Sequence, residues 1–248
     1  MSNMSNIGFN IKSQNDITNI AQKVAPISKI IEVNKGAYVA YSDKSGAELW
    51  LQVNNDHDFI GFNPHFKGKS KFNVSLIEGV ERKSSDLDFA FYCWASPSEI
   101  GNPDSGLYNF VFDCPDGKKY KELEYPQDIM IQLSAFARKI DIYDNEDEFY
   151  NQQEEGWKLG AQSFIPTCYD DNYPLEAYAI LSGVIKEYKK LKNDLTGYQF
   201  YWFLADTYGG EVDIVADINI IKKEPQIKGV ISGSFWLSGQ LIEEPKTL

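Results

Sequence analysis

The chain holds only two histidines and three cysteines in 248 residues, and each scarcity excludes something. Cys93, Cys114 and Cys168 are an odd set without a C-x-x-C pair. Buried, reduced thiols are therefore expected rather than a disulfide framework. His57 and His65 lack the H-x-x-x-H spacing of a zinc site, so neither a metal nor another cofactor is expected. There is no G-x-S-x-G turn to expose a nucleophile. There is also no phosphate-cradling glycine loop, because Gly209-Gly210 is too short and opens no helix. Basic residues are outnumbered 24 to 36, giving a net charge of −12. That balance opposes duplex nucleic acid as a partner, since such binding takes a basic face. The densest basic runs, Lys67-Gly68-Lys69-Ser70-Lys71 and Lys186 to Lys192, read as solvated hairpin surface. The most apolar stretch, Phe89 to Ala95, is far short of a membrane span. No secretory signal opens the chain, so the cytoplasm is the expected compartment and no membrane the expected neighbour.

What is present favours β-structure. Hydrophobic residues make up 43% and aromatics 14%, enough for a sizeable core and a composition that suits strands. Residues 1–69 read as a small α/β unit. It has a short strand at Ile7 to Ile11, a helix from Asn15 to Val24, and strands Gly36 to Ser42 and Ala47 to Asn54 around the turn Asp43-Lys44-Ser45-Gly46. Residues 70–160 read as a first β-rich unit and residues 174–243 as a second, with a linker-like stretch from Gln162 to Tyr173 between them. Within the first unit, Asn145 to Glu155 reads as a helix capped by Asn145. The expected class is α+β, mostly antiparallel β, with two OB-like barrel units. Gly233 and Gly239 would bend the last strand at a barrel corner.

The two β-rich stretches share landmarks in the same order. Gly79-Val80 and Gly183-Val184 open them, Asp113 and Asp217 close a third strand in each, and Phe136 stands where Phe235 stands. A duplicated unit explains this; two unrelated antiparallel sheets with generic turns and aromatic strands explain it too. The motifs Asn193-x-Leu195-Thr196-Gly197, Gly209-Gly210-Glu211-x-Asp213 and Gly233-Ser234-Phe235-Trp236-Leu237-Ser238-Gly239, with Trp94-Ala95-Ser96-Pro97 upstream, resemble a family of bacterial proteins to which no activity is assigned. The resemblance covers the chain after about residue 80. It implies a stand-alone bacterial protein with a C-terminal OB-like unit, and no chemistry.

No constellation specifies catalysis. Asp113 and Asp217, each ending an apolar strand, stand apart from the surplus surface carboxylates. The leading expectation is a non-enzymatic protein-binding or regulatory protein whose acidic surface suits a basic protein. An immunity-like inhibitor of a nuclease is one specific form of it. An enzyme or small-molecule binder would place a pocket between the N-terminal unit and the first β-unit, near Trp50, His57, His65, Tyr92 and Trp94. Single-stranded nucleic acid would need exposed aromatics, such as Trp236 and Tyr201.

Overall fold

A computed structural model describes residues 3–156, 158–167 and 176–242. Among them no helix is long and apolar enough to cross a membrane. The N-terminal third forms one helix and one sheet. Helix α1, Gln14–Val24, begins at a capping box in which Ser13 and Asp16 satisfy each other's backbone N–H groups. Pro26 ends it. Four strands follow as an antiparallel meander: β1 Lys29–Val33, β2 Gly36–Ser42, β3 Ala47–Asn54 and β4 Phe59–Phe66. The β2–β3 turn is tied by the Asp43 carboxylate, which accepts the Ser45 N–H at 2.9 Å.

One local expectation fails here, and strands β1 and β4 have no counterpart among the elements expected from sequence. No strand forms over Ile7 to Ile11: residues 8–11 are irregular and follow a 3-10 turn, Asn3–Ile7. Its Asn6 side chain bonds the Ala137 carbonyl and the Asp217 N–H, both at 2.9 Å, so the segment is shaped by what it docks on. Strand β4 was hidden by Gly61, Asn63 and Pro64, and gains its order by pairing along β3.

The second sheet is built from β5 Phe72–Glu81, β6 Phe89–Ala95, β7 Asn109–Asp113, β8 Gln127–Tyr143, β9 Ser163–Pro166, β10 Tyr178–Lys192, β11 Gln199–Thr207, β12 Gly210–Asp217 and β13 Val230–Leu241. A short helix α2, Glu146–Asn151, follows β8. The protein is thus mostly antiparallel β in two sheets, with few helices. Strand β9 lies in the stretch expected to be a linker, and pairs with β10 at the edge of the sheet.

The pairings of the large sheet run in two closed circuits. Ring one is β5-β6-β7-β13-β8, and ring two is β10-β11-β12-β8-β13. The long strands β8 and β13 pair with each other from Ile131 to Tyr143 and belong to both. In each ring the third strand runs parallel to a shared strand: β7 to β13 through Asp113 and Ser238, and β12 to β8 through Asp213 to Val215. Neither ring is therefore contained in residues 70–160 or 174–243 alone. Asp113 and Asp217 occupy matching strand ends. Gly79 and Gly183 do not match, because Gly79 lies beyond the bulge of β5 and Gly183 before that of β10.

The glycine in Gly233-Ser234-Phe235 serves close approach. A Cβ there would stand 2.0 Å from the Lys139 carbonyl of β8. Gly239 likewise faces the Phe112 ring, 2.6 Å from where its Cβ would be. Around this seam the core is aromatic: Phe136 meets Trp236 at 5.0 Å, and Phe110, Phe112, Phe72 and Phe164 fill ring one.

Candidate functional site

The five residues grouped from sequence take separate roles. Trp50 is buried edge-on to Tyr38 and donates its indole N–H to Glu48 at 3.0 Å. His57 sits in the exposed β3–β4 turn with φ of +65°. Tyr92 and Trp94 are half-buried alternate positions of β6, facing away from buried Phe91 and Cys93. His65 is fully buried on β4. Trp50 and His65 come near one another through Glu48, which stands opposite His65 across the β3–β4 ladder. Tyr201 and Trp236 are 5% and 7% exposed, so neither offers a ring for stacking bases. Cys93 and Cys114 are buried, with the Cys93 thiol against the Phe110 carbonyl, and burial beside Asp116 pushes the Cys114 thiol up, which keeps it protonated and inert. Cys168 lies outside the described residues. Among the described residues no group of His, Cys, Asp and Glu side chains is arranged to hold a metal.

His65 anchors a buried polar chain that joins the meander to both rings. Its Nδ1 meets Ser238 Oγ and its Nε2 meets Gln132 Oε1, each at 2.9 Å. The Gln132 amide nitrogen donates to Asp213 Oδ2 at 2.7 Å and to Ser134 Oγ. A carboxylate only accepts, so the Gln132 oxygen faces His65, Nε2 carries the imidazole proton, and Nδ1 accepts from the Ser238 hydroxyl. Burial holds the imidazole pKa below its ordinary value, against the opposing pull of Glu48. Asp213, with no exposure, also accepts Lys69 N, Ser70 N and the Trp202 indole N–H at 3.0, 2.8 and 2.7 Å. Gly68 is required above it, since a Cβ would stand 2.1 Å from that carboxylate. These bonds occupy the side chains of His65, Gln132 and Asp213 in tying the meander to both rings.

The face that does meet solvent is the acidic lobe after β8. Residues 141–155 contain seven carboxylates and no Lys or Arg. The lobe is held from beneath by Phe149, 1% exposed, against Tyr143, Leu159, Ala161 and Val230. Asn145 caps α2 by accepting the Glu148 N–H at 2.9 Å. Lys223 reaches Asp144 and Glu148 at 2.9 and 2.7 Å, and this bond, with the Asp144 N–H, holds the Glu148 carboxyl below its usual range. Asp144, Glu146, Asp147, Glu154 and Glu155 are exposed. No sequence motif marked this lobe; its signal is the unbroken run of one charge sign.

Asp113 has a different setting. It lies in a cleft, bonded to Arg82 and to the Trp236 indole N–H. Burial raises its carboxyl pKa more than Arg82 and Trp236 lower it. Comparison with known proteins returned no match among family models, curated proteins or solved structures.

Proposed function

We propose that this chain is a non-enzymatic binding protein whose acidic lobe around α2 docks on a basic protein. The observation that carries the reading is the lobe itself: seven carboxylates without a basic residue over 141–155, on a packed base. Such a surface raises the encounter rate with a positive patch and rejects negative ones. A nuclease inhibitor that sets these carboxylates in a basic nucleic-acid cleft is a specific form of the same reading. We also propose that each five-strand ring is an OB-like unit, with β8 and β13 exchanged between the two. The strand order, and the parallel pairing of third strand with a shared strand, support this.

The test is affinity capture from the source cell with wild-type protein and with the quadruple variant E146Q/D147Q/E154Q/E155Q, followed by identification of what is bound. Wild type is expected to retain a basic protein at low salt and to release it as ionic strength rises, while the variant retains little. Equal capture by both proteins, or no protein captured by either, removes the reading.

A further inference from the structure

Two adjoining hollows, each of about 300 Å³, open where β4 meets ring one. They share Arg82, Ser84, Asp113 and Trp236. The inner hollow adds Asn63 and Asp88. Clefts at the junction of two units, with convergent polar groups and a carboxylate of perturbed affinity for protons, are where small ligands sit.

The hydrogen bonds decide which ligand chemistry fits. Asp113 Oδ1 accepts from Arg82 Nε and Nη2 at 2.8 and 2.6 Å, and its Oδ2 accepts from Trp236 Nε1 at 2.6 Å. Asp88 Oδ1 accepts from Gln52 Nε2 and Asn63 Nδ2 at 2.6 and 2.7 Å, and its Oδ2 from Ser84 Oγ at 2.5 Å. A carboxylate has about four acceptor positions, so among the described residues each keeps one open. Asp88 also forces both amides to present nitrogen, which turns their oxygens away from it. Gln52 is fully buried and outside the lining of the hollow, so it orients Asp88 rather than meeting a ligand. Acceptors are thus in excess, and they are held in orientation by their neighbours. The charges lean the same way. Asp88 and Asp113 outweigh Arg82, and on the rim Glu81 and Glu176 outweigh Lys83, Glu81 being paired with Lys118. Phe62 and Phe89 give the inner hollow an apolar wall.

We propose that this cleft binds a small organic cation, an aliphatic amine whose ammonium group bridges Asp88 and Asp113 while its alkyl chain lies along Phe62. An ammonium brings three donors and one positive charge to a site short of both. An anion would face two carboxylates. A neutral alcohol would bring a single donor and no charge. The proposal does not rest on the α2 lobe, and either can fail without the other.

The test follows the indole N–H resonance of Trp236 in the full chain during titration with butylamine, butanol and butyrate at matched pH. Butylamine is expected to shift it saturably and the other two to leave it in place. D88N should weaken the amine at least about ten-fold, the loss of one charge-assisted contact. K83E, which alters only the rim, should tighten it about two-fold at low salt. The proposal is overturned if butanol or butyrate moves the resonance as far as butylamine does. It is also overturned if butylamine moves only exposed resonances, or if K83E weakens the amine.

Discussion

Replacing Asp213 with Asn changes one atom and almost no volume, so its cost reads the buried network directly. Asp213 Oδ1 receives Lys69 N and Trp202 Nε1, while Oδ2 receives Ser70 N and Gln132 Nε2. In either orientation the new amide points N–H groups at two of these donors, at a site with no exposure to water. Each orphaned buried donor costs about 1–3 kcal/mol, so the substitution should cost about 4 kcal/mol. For a chain of this length about 2–4 °C of melting temperature follows each kcal/mol, and D213N should melt about 10 °C lower. Differential scanning calorimetry measures this, with secondary structure followed by circular dichroism to establish that the variant still folds. A loss under about 3 °C would falsify the account, because it would mean that water or a rearranged loop satisfies the donors.

Two further outcomes follow from the same packing. His65 is buried neutral, with its pKa held below the ordinary 6.5. As pH falls through 6.5 the unfolded chain takes up a proton that the folded chain refuses. Stability from this residue is therefore complete above 6.5 and declines as pH falls toward the folded-state value. Urea midpoints measured on both sides of 6.5 should show a smaller pH slope in His65→Gln than in wild type, and identical slopes would count against the assignment. Gly233→Ala places a methyl where β8 and β13 are closest, with the Lys139 carbonyl 2.0 Å from the new Cβ. The seam strands would have to part, at a cost of about 3 kcal/mol, readable as a lower urea midpoint. A midpoint within error of wild type would show that the seam is loose.

The elements that local chemistry controls were readable from the residues. The Asp43-Lys44-Ser45-Gly46 turn carries its own side-chain bond, and Ser13 with Asp16 closes a cap within four residues. The short apolar run Phe89 to Ala95 marks a central strand whatever its neighbours are. The Asn145 cap was equally plain, although the helix behind it stops at Asn151 rather than Glu155. The two carboxylates singled out at apolar strand ends do take matching places, and Asp113 proves to floor a cleft.

What the chain order could not reveal is which strands close on which. Ring one ends its own strands at Tyr143 and borrows β13, which begins only at Val230, and ring two borrows β8 from upstream. Those pairings depend on the shapes of faces that exist only once the sheets have formed. His65 shows the same division. As a residue it is a histidine between Pro64 and Phe66 with no motif around it, and nothing local assigns it a partner. Burial, the Ser238 hydroxyl and the Gln132 amide come from strands that are adjacent only in space, and they alone make it a neutral structural pin. Composition and periodicity determined that this is an acidic, aromatic-cored β protein, because burial of alternating faces is a local pattern. Which polar groups meet inside it, and which cleft they line, was decided by long-range packing.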